Sequence, residues 1–443
     1  MRMPLLLVGI TFLALPAQAV QAESNPAQSS RRPNVIVILT DDQGSADLPS
    51  YGARDLTLPA MERLVAEGVR FTQFYAAAPV CSPSRAALLT GRNPHRAGVP
   101  GNVSPAPGHG LPPEQFTLAE MFRSAGYATG LVGKWHLGSD ADHQPNAQGF
   151  DQAYGHLGGC IDNYSHFFYW NGPNRHDLYR DGVEVHEPGL FFGDLMVREA
   201  TQFMEKNRAR PFFLYMAFNM PHYPYQGDPE WLAHYSELSY PRNLYAAFLS
   251  TLDARMGELL ESLDRLQLAD DTIVVFQSDH GHSTETRAHK GGGSAGVLRG
   301  AKFDLLEGGV RVPAVIRWPG HVPAGEVREQ VAWSCDWLPT LADLCGIPLP
   351  ERRLDGRNIS PLLMDASAPS PHAQLCWESG DQRAVRAGDL KLYAKKDTFS
   401  LYDLSADPGE SKDLAAERPH DLERLQRIHA SWRSTKSSDA DSK

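Results

Sequence analysis

The chain has 443 residues, 42% hydrophobic and 21% charged, and a formal net charge of −11. That length accommodates a large α/β domain with a smaller companion. An acidic balance without clustered Lys and Arg argues against nucleic acid as a partner, although a pocket can still carry local charge of the opposite sign for an anionic ligand.

Residues 1–22 read as a signal peptide, with Arg2 as the positive start, Leu5–Leu15 as the apolar stretch and Ala17-Gln18-Ala19 or Val20-Gln21-Ala22 as the cleavage site. The apolar stretch is too short to span a bilayer, and no later segment is a candidate to cross a membrane. An exported chain, periplasmic or secreted, is expected, with a polar linker at 23–32 before the fold begins. Five cysteines (Cys81, Cys160, Cys335, Cys345 and Cys376) are too few for a disulfide scaffold, though an oxidising compartment would permit one or two bridges.

Val35–Leu39 is a continuous β-branched run, as a strand buried on both faces requires. Helical patterns follow at Pro59–Glu67, Pro83–Thr90 and Phe116–Ser124, and later at Asp194–Asn207, Asn243–Leu266 and Asp336–Cys345. Strand patterns recur at Tyr127–Val132, Phe212–Phe218, Thr272–Gln277 and Val312–Arg317. The alternation predicts an α/β fold over 33–346, a largely parallel sheet sandwiched by helices. After the Pro-rich crossing at Ile347–Pro350 the texture changes to short strands at Gln374–Glu378, Arg383–Ala387, Leu390–Ala394 and Ser400–Leu404, then a helix over His420–Trp432. This predicts a small antiparallel sheet with one helix over 347–433 and a disordered tail at 434–443.

In such a sheet, catalytic groups lie beyond the carboxyl ends of the strands. Asp41 and Asp42 follow the first strand directly, and Asp279 and His280 follow the Thr272–Gln277 strand. Two acidic pairs converging there repel unless a cation lies between them, and oxygen ligands suit Ca²⁺ or Mg²⁺. The plainer alternative for Asp41 and Asp42, simple loop caps, does not account for both pairs together with the motif that follows. Cys81-Ser82-Pro83-Ser84-Arg85 leads through a helical run to Thr90-Gly91-Arg92. Pro83 suits the first turn of a helix, where a missing N–H costs nothing, and position 81 then stands where free backbone N–H groups favour negative charge.

Cys-x-Pro-x-Arg followed by Thr-Gly at this spacing resembles the signature of the type I sulfatases, of the alkaline phosphatase-like superfamily. Further stretches resemble that family in order: Gly126–His136, Met220–Pro224, Leu298–Lys302 with Glu307–Pro313, and Leu401–Leu404. The look is that of exported bacterial arylsulfatases and N-acetylgalactosamine-sulfatase-like polysaccharide enzymes. The resemblance implies that Cys81 is oxidised to formylglycine (3-oxoalanine) by a formylglycine-generating or anaerobic sulfatase-maturating enzyme. It also implies a divalent cation, Ca²⁺ before Mg²⁺, held by Asp41, Asp42, Asp279, His280 and residue 81. His280 departs from the commoner Asn, and imidazole is a poor ligand for a hard cation.

By the same resemblance, Arg85 holds the hydrated aldehyde, Lys134 and Lys302 neutralise the sulfate, and His136 is the base that releases it. His222, with Lys302, protonates the leaving oxygen. A doubly anionic transition state needs such preorganised charge. Between Gly149 and Pro188 the chain is rich in aromatic and histidine residues, which suits a sulfated carbohydrate substrate as well as plain packing. The rival functions are phosphate- or phosphonate-ester hydrolysis within the superfamily and, further off, non-catalytic binding of a sulfated glycan.

Overall fold

In the computed structural model, residues 32–170 and 174–435 are described. The signal-peptide expectation and most of the linker and tail lie outside them. Ser434 closes the last helix instead of beginning the tail.

The Asn34–Thr40 strand is buried along its whole length and pairs in parallel with Thr272–Ser278 on one side and Phe212–Ala217 on the other. Ala128–Lys134 and Gln152–His156 extend the same parallel set. Alternate side chains of these strands point to opposite faces, so each face needs its own apolar cover. Val35, Val37 and Leu39 share a core with Leu88, Leu89, Phe122 and Trp337. Ile36 and Ile38 share another with Leu64, Phe203, Leu252 and Leu259. Each fully buried branched or aromatic side chain contributes about 1.5–3 kcal/mol relative to exposure, which is why the runs lack polar alternation.

The sheet has ten strands and is mixed. Its parallel centre is flanked by antiparallel pairs: Ala314–Arg317 joins Thr272–Ser278 and Val69–Phe71, while Tyr179–Arg180 joins Gln152–His156. The flanking strands are short; Ala314–Arg317 falls within the predicted Val312–Arg317 strand, whereas Val69–Phe71 and Tyr179–Arg180 carry no strand pattern. A separate four-stranded antiparallel sheet runs in sequential order through Leu375–Ser379, Gln382–Ala387, Leu390–Lys395 and Thr398–Asp403. Its Cys376, Val385, Leu392 and Leu401 pack with Leu425 of the Pro419–Ser434 helix. Its Leu375, Trp377 and Ala384 pack with Tyr75, Leu305 and Trp333 of the larger part. All five cysteines are free and buried, so the bridges that an oxidising compartment would permit do not form among them.

Candidate active site

Five neighbouring strand ends build the site. The parallel centre brings Thr40 level with Ser278, Leu39 with Ala217, Ala217 with Gly133, and Lys134 with His156. Residues just past those ends therefore share one edge: Asp41 and Asp42, Asp279 and His280, His222, and Lys134 with His136. Tight packing at this edge depends on Gly133 (φ 117°), where a Cβ would fall 2.0 Å from the Ala217 carbonyl oxygen.

Cys81 opens the Cys81–Thr90 helix, two residues earlier than the sequence pattern indicates, and Pro83 still lies in the first turn. All ten helix residues are buried. Ser82 N–H donates to Asn102 Oδ1 at 3.1 Å, and Val103 N–H to Ser82 Oγ at 3.0 Å, so a distant loop caps the turn that carries Cys81. Cys81 Sγ lies 3.5 Å from Asp41 Oδ1 and 3.3 Å from His280 Nε2.

Around the thiol, charges alternate. Lys134 Nζ donates to Asp41 Oδ2 at 2.6 Å. Arg85 donates to the Lys134 carbonyl at 2.9 Å and to Asp279 Oδ2 at 3.1 Å, while its buried Nε has no hydrogen-bond partner among the described residues. Lys302 Nζ lies 3.0 Å from Asp42 Oδ1 and donates to Oδ2 at 3.1 Å, with Glu285 Oε2 at 3.2 Å. Asp42 itself has φ 65°, and its N–H donates to Asp279 Oδ1 at 3.3 Å, which turns the two acidic loops toward each other.

These contacts set the protonation of each group. Burial works against the Asp41 carboxylate, but Lys134, with Arg85 and Lys302, outweighs it and holds the acid well below its usual range. Asp42 goes the other way. Burial, opposed by Lys302 and reinforced by Asp41 and Asp279, pushes it up to about 6. Burial also opposes a charge on His280, yet Asp279, Cys81 and Asp42 raise it to about 9.

The donor set fits a divalent cation. Donor atoms of Asp41, Cys81, Asp279 and His280 all lie within 4.8 Å of one another, and Asp42 Oδ1, beside the Lys302 ammonium, is 3.5 Å from His280 Nε2. His280 Nδ1 faces the Gly281 carbonyl at 2.9 Å, so the neutral ring keeps its proton there and turns the Nε2 lone pair toward the cluster. Crowded carboxylates, one of them driven toward protonation, are what a cation relieves.

Above this floor opens a cavity of about 250 Å³, lined by Cys81, His136, His222 and Lys302 below and by Trp170 and Phe303 near the rim. Burial, with Lys134 and Arg85 nearby, pushes His136 well below the usual imidazole range, and its Nδ1 has no partner among the described residues. A Cβ on Gly159 would fall 2.7 Å from His136 Cε1, so that glycine leaves room for the ring. Burial and Lys302 likewise keep His222 neutral. His222 Nδ1 faces the Tyr223 carbonyl at 2.7 Å, and Nε2 lies 3.8 Å from Asp42 Oδ2.

The structure thus gathers Asp41, Asp42, Cys81, Arg85, Lys134, His136, His222, Asp279, His280 and Lys302 around one cavity floor. Sequence reasoning missed Asn102, the distant cap, and Glu285, the second carboxylate beside Lys302. It also gave no role to His156, fully buried beside Lys134 in the sheet register. None of the three lies in a motif; only strand register and loop packing bring them in.

Residues 33–347 match the Sulfatase family, and residues 301–433 match the family described as N-sulphoglucosamine sulphohydrolase, C-terminal. Arylsulfatase A of Homo sapiens is 37% identical over 458 residues, spanning 90% of this chain and 87% of the relative. N-acetylgalactosamine-6-sulfatase of Homo sapiens is 35% identical over 358 residues, spanning 75% and 66%. Among solved structures, Ps i-CgsB superposes with a TM-score of 0.84 at 31% identity over 91% of this chain and 93% of that one, and it has also been solved in complex with k-i-k-neocarrahexaose. The phosphonate monoester hydrolase of Agrobacterium radiobacter, 20% identical with a TM-score of 0.66, over 92% of this chain and 96% of that one, shares the fold. A family match across most of the described residues, with its signature residues converging on one cavity, leads to a single assignment: this chain belongs to the sulfatase family and is a sulfuric ester hydrolase.

Proposed function

We propose that the protein hydrolyses sulfate esters of carbohydrates, using formylglycine made from Cys81 and a divalent cation, Ca²⁺ before Mg²⁺. One observation carries the reading: position 81 stands at a helix N-terminus between Asp41 and His280, directly under a cavity that His136, His222 and Lys302 also line, with Lys134 buried behind it on Asp41. Asp41, Asp42, Asp279 and His280 would hold the cation, which supplies charge neutralisation for an anionic ester. Hydrated formylglycine supplies two hydroxyls on one carbon, one to attack sulfur and one to let sulfate depart.

The chain's own groups do the rest. Arg85, pinned to Asp279 and the Lys134 carbonyl, holds its guanidinium charge near residue 81. Lys134 and Lys302 bring ammonium charge to sulfate oxygens where little water competes. His136, held neutral, is ready to take the proton whose loss releases sulfate. His222 would gain a proton when the anionic ester binds, stabilised by Asp42 at 3.8 Å, and Lys302 beside it supplies a second donor for the leaving oxygen.

Cys81 is only 2% exposed in the folded chain. A formylglycine-generating or anaerobic sulfatase-maturating enzyme would therefore act on this segment before the fold closes. A sulfated sugar as substrate agrees with the aromatic rim, with the names of the relatives and with an exported, periplasmic or secreted chain. The test is a screen of defined sulfated oligosaccharides, read as desulfation by mass, with an aryl sulfate and the matching aryl phosphate in parallel. Release of sulfate from a glycan supports the reading; faster cleavage of the phosphate overturns it.

A further inference from the structure

A second cluster of metal-ligating side chains lies outside the active site. His176, Glu184 and His186 bring two imidazoles and a carboxylate together, with one donor atom from each lying within 4.8 Å of the others. The backbone dictates this meeting. Tyr179 pairs with Glu184 and Arg180 with Val183 around a turn at Asp181 and Gly182 (φ 49° and 77°), and Val185 N–H donates to the Leu178 carbonyl at 2.9 Å. Alternation along the returning arm puts Glu184 and His186 on one face, and the preceding segment, where His176 pairs with Phe167 in a separate two-stranded sheet, brings His176 beside them. His176 Nδ1 lies 2.9 Å from Glu184 Oε1, and the rings of His176 and His186 stack with centroids 4.3 Å apart.

Apolar packing does not explain the arrangement, since Glu184 is 44% exposed at its side chain and His186 is also exposed. A single carboxylate satisfies one imidazole N–H and leaves the other ring without a reason to stack there. A third imidazole backs the pair: His166 is fully buried, its ring centroid is 6.2 Å from that of His176, and its Nδ1 has no partner among the described residues. Two imidazoles and one carboxylate form the three-ligand set of open zinc sites. Imidazole also favours zinc-class ions over the hard cations that the oxygen-rich active site suits.

We propose that His176, Glu184 and His186 form a second, peripheral metal site that binds a zinc-class divalent ion. The ion would tie the ribbon to the cavity wall from outside. Next to His176, the Arg175 guanidinium lies over the Phe168 ring at 4.0 Å, and the Asp177 carboxylate accepts from Leu157 N–H at 3.0 Å and Gly158 N–H at 2.8 Å. Phe168, Leu157 and Gly158 all line the cavity. His176, Glu184 and His186 do not line the cavity over Cys81.

The experiment titrates Zn²⁺ into the full protein held in saturating Ca²⁺, follows binding by calorimetry, and repeats it with Co²⁺ to read the visible bands of a low-coordinate site. Wild type should bind one Zn²⁺ that His186→Ala loses and Glu184→Gln binds at least about 10-fold more weakly. Both changes are at exposed positions, and if one variant fails to fold the other carries the test. Absence of Zn²⁺ binding in wild type overturns the proposal. So does a Zn²⁺ stoichiometry and affinity, or a Co²⁺ spectrum, that both variants share with wild type.

Discussion

The active-site floor and the junction beneath the small sheet both bury several charges, and they handle them differently. At the junction, Glu307 accepts from Lys391 Nζ at 2.9 Å and from the Tyr75 hydroxyl at 2.7 Å. Glu410 lies 2.9 Å from the same ammonium and accepts Glu307 N–H at 2.7 Å, while Arg386 donates to the Tyr75 hydroxyl. Burial works against the Glu307 charge, but Lys391 and Arg311 outweigh it and hold the acid below its usual range. Glu410 at the junction and Asp42 at the floor are both pushed up by burial, and each keeps one oxygen beside an ammonium, Lys391 for Glu410 and Lys302 for Asp42. The junction's charges meet between packed side chains, whereas the floor's charges meet under a cavity lined by Cys81, His136, His222 and Lys302. Charge packed away from a cavity serves stability, whereas perturbed charge that lines one is where chemistry is expected.

Removing one group from each network sharpens the contrast. The largest effect belongs to Cys81→Ala, which should cost about 10⁴-fold or more in turnover with the thermal unfolding midpoint little changed. Full turnover from protein whose peptide mass still shows an unmodified thiol would break the floor's account. Next, Asp42→Asn should cost about 10²–10³-fold in kcat/KM through weaker cation binding. In chelator-treated protein the same change should leave stability unchanged or raised, because it removes a carboxylate that burial disfavours; a fall in denaturant midpoint would contradict this.

The junction should respond in reverse. Glu307→Gln leaves the buried Lys391 ammonium with Glu410 alone and should cost about 1–3 kcal/mol of stability, measured by chemical denaturation, while kcat/KM at low temperature stays within about 3-fold. The sign with pH follows from the lowered acid. Its contribution is present above the unfolded carboxylate value of 4.5 and is lost as pH falls through the folded value, so wild type should show an acid-side loss of stability that Glu307→Gln lacks. A smaller change, Gly159→Ala, should crowd the His136 ring and lower kcat by about 10-fold with melting unchanged; normal kcat would remove His136 from its proposed role. Smallest is Trp170→Ala, which should raise KM by about 3–10-fold for a sugar sulfate and less for a simple aryl sulfate.

Much of the fold was legible because the central strands are continuous apolar runs, a pattern that solvent-facing elements do not share. Val35–Leu39 and Thr272–Gln277 each extend by only one or two residues in the structure, and Pro59–Glu67 matches its helix end to end. The edge strands escaped notice because two or three residues show no period. The helix at Cys81 starts before its proline because the Asn102 side chain, 20 residues away, satisfies the first turn, and no local pattern reports that.

By itself the sequence determined the chemical inventory: an oxidisable thiol at a helix start, acids immediately after buried strands, and lysines and histidines in family order. It determined these because local spacing and backbone period are properties of short segments. Only the tertiary structure decided which acid is charged, that His280 turns Nε2 and not Nδ1 to the cluster, and that His176, Glu184 and His186 meet. Those outcomes depend on distances between residues far apart in the chain and on the water that packing removes, and burial sets the strength of every charge involved.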